Sequence, residues 1–99
     1  MDEFEAHTYR AKVTKLLLLK QSSSVEEYKQ QFEGLVYHIK LYDRSISDNM
    51  LVSQFILDLK EELRAAVEMH LPETVNRAAQ VAAIQEAILD RGKRTPSRT

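Results

Sequence analysis

The side chains that could carry out chemistry in this sequence are three histidines and two pairs of adjacent glutamates. His7, His38 and His70 lie far apart and share none of the short spacings, such as HxxxH, that place two ligands on one metal ion. The pairs Glu26–Glu27 and Glu61–Glu62 are sequence neighbours, and such neighbours point to different faces of a helix. We therefore expect the glutamates to support helix starts and the histidines to be ordinary surface or half-buried residues.

Catalytic and cofactor-binding loops are equally hard to build from this composition. The chain has only two glycines and no cysteine, so a glycine-rich phosphate loop, a GxSxG turn and a cysteine-ligated zinc site are all excluded. We accordingly predict that the chain is not an enzyme and takes no cofactor and no metal ion.

The elements that would position any site are predicted to be helices. With two glycines and two prolines in 99 residues there is little material for hairpin turns, while 43% of the residues are hydrophobic and 29% are charged. No apolar run approaches the roughly 20 residues that span a membrane, and the acidic, polar N-terminus is no secretory signal. The composition predicts an all-α protein in the cytoplasm, without membrane contact.

Five helices can be placed from periodicity and capping signals. The predicted helices cover residues 2–18, 25–39, 48–59 and 60–71, and a fifth helix rich in alanine follows Thr74. Ser24 and Ser47 are the predicted N-caps of the second and third helices, and Glu27 would complete a capping box by reaching back to Ser24. Pro72 ends the fourth helix. The fifth helix should end at Gly92.

The helical stripes predict which side chains form the core. The second helix has the clearest stripe, and the first and fourth helices have shorter ones. Leu18 and Leu19 lie off the stripe of the first helix, so we expect the following chain to wrap round and bury them. The three predicted stripes are Ala6, Tyr9, Val13, Leu16 and Leu17; Val25, Tyr28, Phe32, Leu35, Val36 and Ile39; and Leu63, Ala66, Val67 and Leu71.

Charge divides the chain into a body and a tail. Residues 1–90 carry 10 basic and 15 acidic side chains, whereas residues 91–99 carry four basic ones and no acidic one. We predict one folded domain over residues 1–91, with a lead-in helix over 1–20 and a four-helix core over 21–91, followed by a basic, disordered tail over 92–99. The acidic body argues against nucleic-acid binding, and the tail could add only a weak phosphate contact.

The third helix shows a second face that the core does not use. Its core face is formed by Leu51, Val52, Phe55, Ile56 and Leu59. The opposite face carries no charge and bears two large apolar side chains, which is typical of contact with another chain, although single exposed apolar residues are also common. The predicted self-association residues are Met50, Ser53, Gln54 and Leu57.

Four motifs in order resemble the Gag polyprotein of gypsy-type LTR retrotransposons. They are Leu19-x-Gln21 followed by a short loop and Val25-Glu26-Glu27-Tyr28-x-x-x-Phe32-x-x-Leu35; Ser47-x-x-x-Leu51-Val52-x-x-Phe55-x-x-x-Leu59; Glu62-Leu63-Arg64; and Leu71-Pro72-x-Thr74-Val75. The resemblance covers about residues 10–91 and points to the capsid C-terminal-type domain, which is related to retroviral capsid C-terminal, Arc and SCAN domains.

The resemblance implies an all-α assembly module that dimerises and helps to form a shell around the element's RNA. The segment from Gln21 to Phe32 is similar to the major homology region of retroviral capsids, so Gln21, Ser24, Glu27, Tyr28 and Phe32 would form a fold-supporting motif. The third helix matches the family's dimerisation helix, with Ser53 and Gln54 at its centre. This polar centre implies a weak dimer.

The predicted function is therefore self-association into a capsid-like particle. The predicted partner is a second copy of the chain, with higher assembly in full-length Gag, and RNA would be bound only by regions outside this domain or weakly by the tail. Two other functions remain open: a domesticated Gag-derived module that binds a host protein, and a helical nucleic-acid-binding domain.

Overall fold

The fold consists of five α-helices in a computed structural model that describes residues 2–94, with side chains described to residue 91. The helices are α1 (Glu3–Leu18), α2 (Val25–Tyr42), α3 (Asp48–Leu57), α4 (Glu61–Met69) and α5 (Val75–Arg94). No strand occurs in this part of the chain. The predicted all-α class and the number of helices are confirmed.

Short polar side chains start most of these helices, as their types dictate. The carboxylate of Asp2 caps α1 in a complete capping box with Glu5. The hydroxyl of Ser47 accepts a hydrogen bond from the backbone N–H of Met50 at 3.0 Å, and the hydroxyl of Thr74 accepts one from Arg77 at 3.0 Å. These bonds satisfy N–H groups that a helix start leaves without an intrahelical partner.

One core joins the helices. α1 packs along α2, while α5 packs against α2, α3 and α4, and α3 also contacts α4. Because α5 places Ala78, Ala79 and Ala82 in the core, its neighbours can approach its backbone closely. The largest fully buried side chains come from α2, α3 and α4: Tyr28, Phe32, Phe55, Ile39, Leu63, Val25 and Val67.

The stripe predicted for α1 is only partly correct. Leu16 is buried, and Tyr9 and Val13 are half-buried against the core, whereas Leu17 is 57% exposed. Leu18 is 73% exposed and not covered by the following chain as predicted. The reason is that α1 has one main neighbour, α2, so only one narrow face is covered.

Other helix ends and placements differ from the prediction as well. α3 ends at Leu57 instead of residue 59, and α4 ends at Met69 instead of residue 71. α2 continues to Tyr42, beyond the predicted end at residue 39, because the Tyr42 ring packs edge-to-face on Tyr9 of α1 at 6.2 Å between ring centroids. Leu71 was placed on the core stripe of α4 and is exposed. α5 continues past Gly92 to Arg94. Residues 95–99 of the predicted tail lie outside the described residues.

Candidate functional site

One face of α3 is buried in the core and holds the helix in place. Leu51, Val52, Phe55 and Ile56 are buried, and Leu59 just beyond the helix is buried as well. This distribution matches the predicted core face. It fixes the rotation of α3 about its own axis, so the opposite face must point away from the core.

The four predicted self-association residues do share that outer face. Met50 is 67% exposed and Leu57 is 58% exposed, which is high for large apolar side chains. Ser53 is exposed, while Gln54 is half-buried and its amide donates a hydrogen bond to the carboxylate of Asp58 at 2.6 Å. The centre of the face is therefore polar, with one large apolar side chain at each end.

A groove of about 650 Å³ runs along this face and continues onto the turn between α4 and α5. One wall of the groove belongs to α3 and the other to the end of α4 and the α4–α5 turn, so α3 alone could not form it. The groove is lined by Asn49, Met50, Val52, Ser53, Gln54, Ile56, Leu57, Glu68, Leu71 and Pro72. All four predicted residues are included, together with two residues of the turn.

Leu71 is the large apolar residue of this groove that sequence reasoning assigned to the core instead of the surface. Its φ of 47° lies in the left-handed region, and its backbone N–H bonds the carbonyl of Glu68 at 3.0 Å, which ends α4. Glycine usually occupies that position, since a β-carbon is strained there. Leu71 is also 81% exposed. The Leu71-Pro72 pair could have indicated that Leu71 lies outside α4, because the right-handed helical conformation is disfavoured for the residue that precedes a proline.

The predicted fold-supporting motif lies behind α3 and on the opposite side from the groove. Gln21 is only 7% exposed, and its side-chain carbonyl accepts a hydrogen bond from the backbone N–H of Lys60 at 2.9 Å. Its amide donates to the carbonyl of Ser23 at 2.9 Å, and its own backbone N–H donates to the carbonyl of Asp58 at 3.0 Å. Gln21 thus ties the loop before α2 to the junction between α3 and α4.

Ser24 and Glu27 form half of the predicted capping box. The hydroxyl of Ser24 accepts a hydrogen bond from the backbone N–H of Glu27 at 3.2 Å, as expected of an N-cap. The carboxylate of Glu27 accepts its hydrogen bond from the hydroxyl of Ser23 and not from the backbone of Ser24. A carboxylate from α5 takes part as well, since Glu86 accepts a hydrogen bond from the backbone N–H of Val25 at 3.1 Å.

Tyr28 and Phe32 connect this motif directly to α3. The Tyr28 ring stacks on Phe55 with centroids 4.7 Å apart, and Phe32 meets Phe55 edge-to-face at 5.1 Å. The Tyr28 hydroxyl donates a hydrogen bond to the carbonyl of Phe55 at 2.9 Å. Burial raises the pKa of Tyr28 above its ordinary value, and the charge of Asp58 raises it further. The motif therefore fixes the position of α3 from behind.

Within residues 2–94 the structure gives no alternative site of obvious chemistry. No group of three His, Asp or Glu side chains there could hold a metal ion. His38 and His70 each contact a carbonyl of their own helix, four residues earlier, at 2.9 Å. None of the described helices is long and apolar enough to cross a membrane. The α3 groove is consequently the best-defined candidate for function.

Comparison with known proteins gives the chain a family. Searches of curated proteins and of solved structures returned no significant match. A family model described as "Ty3 transposon capsid-like protein" matches residues 3–99, which is nearly the whole chain. The match spans all five helices, including the groove face of α3 and the motif from Gln21 to Phe32. The chain therefore belongs to the Ty3 transposon capsid-like family and is a Gag structural domain of the Ty3/gypsy type.

Proposed function

We propose that this domain builds a capsid-like particle by pairing with a second copy of itself through the groove face of α3. The observation that carries the proposal is the position of Met50 and Leu57. Both are exposed apolar residues, they lie one at each end of one groove, and they belong to a capsid-family chain. The role is structural, and we assign no reaction to the domain.

The geometry of the face suits a symmetric contact. Two α3 helices that cross at Ser53 and Gln54 would place Met50 of each copy near Leu57 of the other, so that both apolar ends are covered at once. Such an interface uses the same patch twice and closes with two molecules. The wall formed by Leu71 and Pro72 would border the crossing helix and limit its angle.

The polar centre sets the expected strength of the contact. Ser53 and Gln54 contribute little apolar area, and the Gln54 amide already bonds Asp58. Burial of apolar surface is the main favourable term in association, so a face with only two large apolar side chains should form a weak, reversible dimer. Weak contacts repeated many times suit a particle, and we place its assembly in the cytoplasm. RNA would be bound by other regions of Gag.

The test is the molar mass in solution, measured by light scattering over a wide range of concentrations. We expect the mass to rise from 11.5 kDa to at least twice that value as concentration increases. The double variant Met50→Asp with Leu57→Asp should lose most of this rise while its helical circular dichroism stays unchanged, because both side chains are exposed and buried charge opposes pairing.

The matched control introduces the same charges at an exposed apolar pair elsewhere, Tyr37→Asp with Leu41→Asp on α2. It should dimerise like the wild type. If the α3 variant associates as strongly as the wild type over the same concentrations, the assignment of this face is wrong. A wild-type chain that remains monomeric at high concentration would favour binding of a different protein in the groove.

A further inference from the structure

The outer face of α1 carries an apolar seam that nothing in the fold covers. Phe4, Ala11 and Leu18 follow one another at intervals of seven residues, which places them on one side of a helix. Phe4 is 77% exposed and Leu18 is 73% exposed, and Ala11 between them is exposed as well. The covered residues of α1, such as Tyr9 and Leu16, lie on the opposite side, towards α2.

The charges of α1 are separated along its length. Residues 2–5 contain three acidic side chains and no basic one, whereas residues 6–20 contain four basic side chains and no acidic one. The acidic end suits the partial positive charge of a helix N-terminus, and Lys15 suits the opposite end. Because the acidic and basic residues are separated along the helix, they favour one direction for a second helix that packs on the seam.

We propose that α1 pairs in an antiparallel arrangement with α1 of a second copy, with Ala11 at the two-fold axis. Phe4 and Leu18 lie equally far from Ala11 in sequence, so Phe4 of each copy would face Leu18 of the other. The antiparallel arrangement places the acidic first turn of each helix near Lys15 and Lys20 of its partner, with Arg10 and Lys12 on either flank of the seam beside the axis. A parallel arrangement would place like charges together along the whole helix. The small side chain of Ala11 lets the two helices approach closely at the axis.

This pairing goes beyond the α3 interface and does not depend on it. The α1 seam and the α3 groove share no residue, so one molecule can use both at once. A molecule with two different two-fold contacts binds one neighbour on each, and the chain of contacts does not close after two copies. The domain would then form extended assemblies from one folded unit.

Disulfide trapping tests the geometry at the axis. The chain has no cysteine, so Ala11→Cys introduces a single thiol that can only bond its symmetry mate. We expect rapid oxidation of this variant to a covalent dimer, because residues on a two-fold axis between close helices fall within disulfide reach. Ala87→Cys, a thiol at another exposed position, on α5, is the control. If the two variants cross-link at equal rates, the α1 pairing is overturned.

Solution mass then separates this proposal from the α3 interface. The variant Phe4→Gln with Leu18→Gln removes the seam without adding charge, and the α3 variant described above removes the groove contact. We expect the α3 variant to retain a weak dimer that is lost when the seam substitutions are added. A monomeric α3 variant at concentrations where the wild type associates would overturn the α1 pairing and leave the α3 interface standing. Dimer loss from the seam substitutions alone would support α1 and count against α3.

Discussion

At the scale of single residues, Gln21 joins parts of the chain that are distant in sequence. Its backbone and side chain bond Asp58, Lys60 and Ser23, so one buried amide connects the loop before α2 with the α3–α4 junction. The resemblance had placed Gln21 in a fold-supporting motif, and a buried amide of this kind must be paired. Its partners could not be predicted, because they depend on where α3 ends in space.

Replacement of Gln21 by alanine should lower the free energy of unfolding by about 1–3 kcal/mol, because the backbone N–H of Lys60 would lose its partner in a partly buried position. Urea denaturation measures this loss. The control is Gln30→Ala on α2, where the side chain is exposed. Equal stability of the two variants would mean that the Gln21 hydrogen bonds do not matter for folding.

Tyr28 gives the domain a sensitivity to alkaline pH. Because burial raises its pKa above the ordinary value of 10.0, the folded state retains a proton that the unfolded chain releases. The corresponding stabilisation is complete below the unfolded pKa and is lost as pH rises above about 10. We expect Tyr28→Phe to be less stable than the wild type at neutral pH, yet to lose less stability on going above pH 10.

The measurement is urea denaturation at several pH values from neutral to strongly alkaline. Tyr37→Phe, on the exposed surface of α2, should keep the wild-type slope because Tyr28 is intact in that variant. An identical alkaline slope for Tyr28→Phe and the wild type would show that the buried hydroxyl does not govern the response.

At the scale of helices, the N-terminal ends could be predicted from the sequence more reliably than the faces that become buried. The hydroxyls of Ser24, Ser47 and Thr74 each accept a hydrogen bond from a backbone N–H three residues later. Because both partners lie within one turn, the local sequence is enough to predict the cap. The exposure of Leu17 and Leu18 depends on how many helices surround α1, and periodicity within α1 carries no information on that. The same limit explains why the apolar seam of α1 appeared only with the structure.

Leu71, at the end of α4, affects both the stability of the fold and the proposed dimerisation. Leu71→Gly should raise the free energy of unfolding by about 0.5–1 kcal/mol, since relief of left-handed strain exceeds the entropic cost of glycine. The same change removes an exposed wall of the α3 groove, so dimerisation should weaken. Met69→Ala, at an equally exposed neighbour with helical backbone, should change neither quantity. Destabilisation by Leu71→Gly would contradict the strain argument.

At the scale of the whole molecule, the sequence supplied the family and the first of two proposed surfaces. The family followed because motifs such as Gln21 and Ser47 keep their order and spacing, and the α3 face followed because its apolar residues lie opposite a strong core stripe. The two surfaces differ in physical character. The α3 groove is uncharged along its predicted contact residues, whereas the α1 seam is flanked by separated charges.

Salt should therefore separate the two contacts. Between about 0.01 M and about 1 M salt the screening length falls from about 30 Å to about 3 Å, which removes most attraction between exposed charges. We expect higher assemblies held by α1 to dissociate with rising salt while dimers held by α3 persist, so the average mass should fall towards that of a dimer. Light scattering on the wild type measures the fall, and the Phe4→Gln/Leu18→Gln variant should show none. If the residual dimer of the α3 variant instead survives rising salt, charge does not orient α1, and the antiparallel register must rest on the apolar contacts of Phe4 and Leu18 alone.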